Sequence, residues 1–148
     1  MLARVTSIAL GLALAGLVGA AGAQDMVAKR QEEMKGFGKN LGVVKGVVVD
    51  KKGTLDDAAA AAAHIAGIAP NIPSWFPAGS DQGKTNALPV VWEKPDEFAA
   101  KANNMAGLAA KLEAAAKSGD QAATMAAFAA LGKDGCGACH STFRRPQT

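Results

Sequence analysis

The sequence predicts an all-α fold, arranged as an antiparallel bundle of four helices. Alanine, the residue with the highest helix propensity, provides 34 of the 148 residues. Aromatic residues make up only 5%, and the Val, Ile and Thr residues that favour strands are scarce outside one short run. Apolar residues instead recur at steps of three and four, the period of an amphipathic helix. These features exclude an all-β fold and a nucleotide-binding α/β fold.

The charge distribution gives no support for nucleic-acid binding. Lys and Arg total 16 against 13 Asp and Glu, a formal net charge of +3. The basic residues are scattered along the chain, with no run that could follow a phosphate backbone. We therefore expect no nucleic-acid partner.

The first 23 residues have the pattern of a secretory signal peptide. Arg4 supplies a positive start, residues 8–18 are apolar, and Ala21-Gly22-Ala23 matches the small-residue cleavage motif. The alternative is a retained membrane anchor, but the apolar stretch is short for a span of about 20 residues. We expect cleavage after Ala23, one bundle domain over residues 24–148 with no later membrane span, and a periplasmic location.

The first two helices are predicted on either side of Gly53. The first runs from about Asp25 to Val49, and the second is opened by an N-capping box at Thr54 to Asp57 and runs to about Ala69. The expected inner face of the first helix carries Val27, Arg30, Met34, Phe37, Leu41, Val44 and Val48. That of the second carries Leu55, Ala58, Ala62 and Ile65.

The last two helices follow a loop that is rich in Pro and Gly and extends to about Glu93. Pro95 begins the third helix, and Ser118-Gly119-Asp120 ends it and caps the fourth, which runs from about Gln121 to Arg144. The expected inner face of the third helix carries Phe98, Ala102, Met105, Ala109, Leu112 and Ala116. That of the fourth carries Met125, Phe128 and Leu131.

The chemistry of the chain is concentrated in Cys136-Gly137-Ala138-Cys139-His140. C-x-x-C-H is the attachment motif for c-type haem, in which each thiol forms a thioether and the histidine coordinates iron. A structural zinc would need about four ligands, and the chain has two Cys and two His in all. A redox dithiol belongs at a helix start after a strand, and a simple disulfide would not explain His140. A haem would also fill a core that is otherwise largely Ala.

A second axial ligand must come from earlier in the chain, since none of the eight residues after His140 is Met, His or Lys. The best candidate is Met34, which lies one helical turn after Arg30 and one before Phe37. An Arg on a core-facing stripe requires an anion, and a haem propionate is one. A packing role for Met34 remains open, because Met fills irregular core space well. The other candidates are Met26, Met105 and Met125, expected to pack or fray, and His64, expected at the flank or surface.

Several further segments accompany the C-terminal motif. They are Arg30-Gln31, the loop Trp75-Phe76-Pro77-x-Gly79-Ser80, the run Thr85-Asn86-Ala87-Leu88-Pro89-x-x-Trp92, Gly119-Asp120, the Ala-Ala-Phe128 approach to the haem motif, and Phe143-Arg144 after it. Together with the C-terminal position of C-x-x-C-H, they resemble the cytochrome c′ family, the class II c-type cytochromes, over nearly all of residues 24–148.

The resemblance implies a four-helix bundle with one haem c, covalent through Cys136 and Cys139, and His140 as proximal ligand to its iron. It implies that Arg30 and Gln31 approach the haem propionates, as does a loop residue at Thr85 or Asn86. It also implies that Arg144 packs beside the proximal face.

The family divides at the position four residues after the Arg, which is Met34 here. Members with an apolar residue there leave the iron five-coordinate and bind gases such as nitric oxide, whereas a low-spin branch uses Met as sixth ligand and carries electrons. The sequence is most like the low-spin branch, so we expect a periplasmic electron carrier and not an enzyme. The gas-binding protein is the alternative. A peroxidase or a purely structural bundle is less well supported.

The redox partner proteins cannot be named from the sequence. A monomer or a homodimer is compatible with it. The charged residues Lys39, Lys45, Lys51, Asp56 and Asp57 on the first two helices favour a monomer.

Overall fold

The computed structural model describes residues 15–146, and within them the chain forms a helical bundle. Four long helical segments pack side by side, with the second against both the first and the third, and the third against the last. The helices are α1 (Ala15–Val48), α2 (Leu55–Ile68), α3 (Val90–Glu93), α4 (Pro95–Lys117), α5 (Gln121–Ala130) and α6 (Ala138–Phe143). A π-helical turn, Leu131–Gly137, joins α5 to α6, so α5 and α6 together form the fourth long segment. No strand occurs in the described part of the chain, and the predicted all-α four-helix bundle is confirmed.

The first helix extends at least ten residues further toward the N-terminus than predicted. We expected it to start at about Asp25, but α1 already includes Ala15 and continues through the predicted cleavage site. Residues 15–24 include four Ala but also three Gly, so helix propensity alone does not account for the extension. Residues 1–14 of the expected signal peptide lie outside the described residues.

The predicted caps are present at the second and fourth helices. Thr54 accepts a hydrogen bond from the backbone N–H of Asp57, and the Asp57 carboxylate accepts from both the backbone N–H and the hydroxyl of Thr54. Asp120 caps α5 by accepting from the N–H groups of Ala122 and Ala123, each at 2.9 Å. Gly119 before it has φ +79°, a conformation that favours glycine. These local signals fix where two of the four segments start.

The predicted core faces are largely correct, with one error on α5. All six residues of the α4 stripe are buried, and so are Ala58, Ala62 and Ile65 of α2. Met125, however, is 41% exposed, and the neighbouring Thr124 takes the buried position. The Thr124 hydroxyl donates to the Asp120 carbonyl at 2.6 Å, so its polar atom is satisfied within the helix. A hydroxyl bonded in this way can occupy a core position that the apolar pattern assigned to Met.

The segment between the second and third long helices is more ordered than the predicted loop. Residues 69–75 form a 3₁₀ turn directly after α2, and α3 precedes α4. Further along, Leu88 N–H donates to the Phe143 carbonyl at 2.9 Å and Arg145 N–H donates to the Asn86 carbonyl at 2.8 Å. This short antiparallel pairing fastens the loop to the C-terminal end of α6.

The described helices include none with an apolar run sufficient to cross a bilayer.

The capping box at Thr54 makes a pH-dependent contribution to stability. Its hydrogen bonds to Asp57 lower the pKa of that carboxyl below its usual 3.8. The stabilisation is therefore present above the unfolded pKa and is lost as pH falls through the folded pKa. We expect Asp57→Asn to lower the urea midpoint at pH 7, with the difference from the parent shrinking as the pH falls below 3.8 and through the lowered pKa of Asp57.

Asp56→Asn is the matched control, because Asp56 occupies the same first turn without bonding to Thr54. An equal effect of both substitutions would mean that the helix dipole acts, and not the capping box.

Candidate functional site

The expected haem residues converge on one cavity. It has a volume of about 350 Å³ and lies among the middle of α1, the loop before α3, the start of α4 and α6. The sequence-predicted residues that line it are Arg30, Gln31, Met34, Thr85, Asn86, Cys139 and His140. Of the predicted set, Cys136 does not line the cavity, although it is half-buried three residues before Cys139.

The haem motif is set on a widened helical turn that we did not predict. We expected one α-helix from Gln121 to Arg144, but Ala138 N–H donates to the Lys133 carbonyl, five residues back, as well as to that of Gly135. A π turn of this kind inserts one residue, which rotates everything after it by about 100° relative to an uninterrupted α-helix. The π turn therefore sets the direction in which Cys139 and His140 face.

Two glycines fit the π turn to itself, and Asn104 joins it to α4. A Cβ on Gly135 would come 3.1 Å from Leu131 Cδ1, and one on Gly137 would come 3.2 Å from the Gly132 carbonyl oxygen, so both positions of the turn are tight for a side chain. Asn104 of α4 donates from Nδ2 to the Asp134 carbonyl at 3.0 Å. Asn104 thus satisfies a carbonyl of the widened turn and fixes it against α4.

The motif side chains are held in their neutral forms. Burial raises the pKa of the Cys136 and Cys139 thiols above the usual value, with Lys101 opposing the shift at Cys139. Burial, and then the positive charge of Arg144, lower the pKa of His140. At neutral pH the site offers two thiols and a neutral imidazole, the form of histidine that coordinates metal.

Arg30 is the most heavily bonded side chain of the site. It is 4% exposed, and its four terminal N–H groups reach protein oxygens. Nη1 donates to the Trp75 carbonyl at 3.1 Å and to Ser80 Oγ at 2.8 Å, and Nη2 donates to the Ser80 carbonyl at 2.8 Å and to Thr85 Oγ1 at 3.4 Å. Its first role is therefore to tie α1 to the loop of residues 75–85.

The same guanidinium lies over two aromatic rings, 4.6 Å from the centroid of Phe76 and 5.9 Å from that of Trp92. No carboxylate of the described chain contacts Arg30. Its positive charge is balanced only by neutral oxygens and ring faces. The buried charge therefore remains available to an anion entering the cavity, and the weakest of its bonds, to Thr85, is the one beside the cavity lining.

A row of aromatic rings forms the inner wall of the cavity. Phe143, Phe98 and Phe76 line it and contact one another edge to face, with centroid separations of 5.0 and 4.8 Å. Phe76 also contacts Trp92, which lies outside this lining, at 5.9 Å. Phe76, Val91 and Phe98 also line a second cavity of about 400 Å³ on the other side. Sequence reasoning did not assign Phe76, Phe98 or Val91 to the site, because an apolar residue on a core stripe gives no separate signal for a ligand.

The cavity lining carries three cations, Arg30, Lys35 and Arg144, and no carboxylate. Arg144 Nε is buried and has no hydrogen-bond partner. Such a group is costly to leave unsatisfied. An apolar ligand that bears carboxylates would pack against the apolar wall and neutralise these cations.

The other candidate axial ligands lie away from the cavity. His64 is exposed, as expected, and Met105 is buried in the core of α4. Met125 is on the surface, and Met26 is half-buried but does not line the cavity. Among the Met and His candidates that we considered, Met34 is the one that lines the cavity with His140.

Comparison with known proteins places these features in a family. The family model described as cytochrome C′ matches residues 25–144. The chain belongs to the cytochrome c′ family. It is 41% identical over 119 residues to a cytochrome c′ of Pararhodospirillum photometricum, covering 78% of this chain and 92% of that protein.

A cytochrome c-554 of Cereibacter sphaeroides is 47% identical over 76 residues, which is 49% of this chain and about half, 56%, of that protein. The solved cytochrome c′ of Shewanella frigidimarina superposes with a TM-score of 0.75 at 30% identity, over 84% of this chain and 97% of that one. Both the sequence resemblance and the bundle architecture are thereby confirmed.

The cofactor of this family is a covalent haem c, and the residues present fit it. Cys136 and Cys139 are free thiols in the C-x-x-C-H spacing. The apolar wall suits a macrocycle, and the unmatched cations suit its two propionate carboxylates. Members of the family are electron carriers or gas-binding haem proteins.

The bonds of Arg30 predict a large effect on stability. Arg30→Met removes four donors and leaves buried carbonyls at Trp75 and Ser80 without partners. We expect a loss of about 2–4 kcal/mol in the free energy of unfolding, measured by guanidinium titration of the haem-loaded protein.

Lys29→Met is the control, because Lys29 is the exposed neighbour on α1, and its effect should stay within about 0.5 kcal/mol. A loss for Arg30→Met no larger than that of the control would show that the loop does not depend on Arg30.

Proposed function

We propose that the protein is a periplasmic electron carrier in which His140 and Met34 are the two axial ligands of haem iron. The observation that carries the proposal is that Met34 of α1 and His140 of α6 line the same cavity as Cys139. The haem supplies reversible one-electron chemistry at its iron. The chain holds the group through Cys136 and Cys139 and surrounds it with apolar side chains.

The surroundings of the two ligands support this assignment. Met34 is half-buried within the apolar cluster, so its thioether is shielded from water without being packed away from the cavity. The depressed pKa of His140 keeps its imidazole unprotonated, as coordination requires. A methionine ligand favours the reduced iron and raises the potential, which suits a carrier.

The periplasmic location rests on two supports. The N-terminal 23 residues have the signal-peptide pattern, and haem is attached to exported chains of this family. The apolar wall and the cationic lining offer no acid or base pair for turnover of a substrate, which favours a carrier over an enzyme.

The test is the absorption spectrum of the purified haem-loaded protein, ferric and ferrous, before and after carbon monoxide. We expect the parent to show low-spin bands that the gas does not change. Met34→Ala and Met34→Leu should both become high-spin and bind carbon monoxide, because each removes the thioether and Leu keeps the volume.

Met125→Ala is the control, since Met125 lies on the surface and its loss should leave the spectrum unchanged. A parent protein that binds carbon monoxide at once would show Met34 to be a packing residue. The gas-binding function of the family would then replace the carrier.

A further inference from the structure

Four cations lie in or next to the cavity lining, and the fold brings them there from three parts of the chain. We name this group the basic rim and define it as Lys35, Lys84, Arg144 and Arg145. Lys35 and Arg144 line the cavity. The Lys84 carbonyl accepts from Gln31 Nε2 at 3.2 Å, and Arg145 N–H donates to the Asn86 carbonyl at 2.8 Å, so both residues adjoin lining residues.

The side chains of the basic rim are accessible. Lys35, Lys84 and Arg145 are exposed, and Arg144 is half-buried. Lys84, Arg144 and Arg145 form no ion pair with any Asp or Glu of the described chain. Charged groups that form no pair with the described residues are free to interact with a partner.

The cavity lining holds no carboxylate that could cancel this charge, and the one ion pair that the rim forms with the described residues is weak. Glu32 is 3.6 Å from Lys35 Nζ and 3.9 Å from Lys39 Nζ, and all three side chains are at least 68% exposed, so these contacts are long and well solvated. Asp81 lies in the same loop as Lys84 but lines the neighbouring cavity. With Arg30 behind the rim, cations remain in excess even against the two carboxylates that a haem brings.

The far end of the bundle carries charges of both signs. There Lys45 pairs with Asp50 and Lys117 pairs with Glu113, and Lys51 and Lys52, unpaired in the described chain, are matched in number by Asp56 and Asp57. That end lies roughly 20 Å from Lys35 along α1, about two Debye lengths at 0.1 M salt. At this salt concentration the charges of the far end would therefore contribute little to the electrostatic potential at the rim.

We propose that the basic rim is the docking surface for an acidic face of a protein redox partner. The inference rests on the proposed carrier function, because an electron carrier must present the mouth of its cofactor cavity to its partner. Opposite charge at that mouth orients the encounter and speeds it, by factors of about 10 to 1,000 at low ionic strength.

The experiment compares two variants of equal net charge. The rim variant is Lys84→Glu with Arg145→Glu. The matched control is Lys52→Glu with Lys111→Glu, two exposed lysines away from the mouth that form no ion pair in the described chain. Lys35 and Arg144 are left intact so that the cavity lining is unchanged.

The probe is an acidic blue-copper electron carrier. Binding is measured by calorimetry with both proteins reduced, so that no electron moves, and electron exchange is measured by stopped flow at 10 mM and 500 mM salt. We expect the parent to bind at low salt, the rim variant to lose at least about tenfold in affinity and rate, and the control to stay within about twofold. At 500 mM salt the affinities and rates of the parent, the rim variant and the control should become equal, because salt screens the charges.

Equal losses in the rim and control variants would overturn the proposal, because net charge alone would then act. Absence of low-salt binding by the parent would also overturn it. Binding to anionic phospholipid vesicles that needs the rim, without binding to the copper protein, would assign the rim to a membrane surface instead. The carbon monoxide spectrum of each variant reports on Met34 separately, so failure of the axial assignment and failure of the rim are distinguishable.

Discussion

The site depends first on one buried cation. Arg30 projects from α1 and binds the loop of residues 75–85 through four hydrogen bonds, while Phe76 and Trp92 cover its face. A guanidinium can do this because its planar donors reach several carbonyls at once, which an ammonium cannot. The loop places Thr85, Asn86 and Ala87 in the cavity lining. Backbone hydrogen bonds of Asn86 and Leu88 to residues 143–145 then fasten the loop to the end of α6.

The buried alanines affect the shape of the same site, because they let the helices pack closely away from the cavity. Four alanines of α2 are buried, and α4 buries Ala102, Ala109 and Ala116. Such small side chains let α2 and α4 pack closely, but they fill little volume. The larger apolar side chains Phe37, Trp75, Phe76, Phe98 and Phe143 belong to the core cluster around the loop and the cavity. The bundle therefore combines close helix contacts with a wide apolar end, and that end is where a large planar group can lie.

Much of this could be predicted from the sequence because the signals are local. The stripe on α4, the cap at Asp120 and the capping box at Thr54 each follow from a few neighbouring residues, and the C-x-x-C-H motif identifies its cofactor by spacing alone. The π turn could not be predicted, because the bond from Asn104 of α4 to the Asp134 carbonyl joins residues 30 apart in the chain and exists only in the folded protein. Met125 was wrongly predicted to be buried because the apolar pattern favours Met over Thr at a core position. The Thr124 hydroxyl is buried instead, since it donates a hydrogen bond within its own helix. For Arg30 the sequence predicted an anionic partner, but not the hydrogen bonds to neutral oxygens of the loop.

The distribution of charge over the surface follows from the fold and could not be predicted from the sequence. The basic residues are scattered along the chain, and the net charge of +3 distinguishes no face from another. Folding brings the backbone at Lys84 and Arg145 together through the pairing of residues 86–88 with 143–145, and the middle of α1 adds Lys35. At the far end Lys45 and Lys117 pair with Asp50 and Glu113, and Lys51 and Lys52 are matched in number by Asp56 and Asp57. The asymmetry is thus a property of topology, since the contacts that close the cavity also gather cations around a lining that holds no carboxylate.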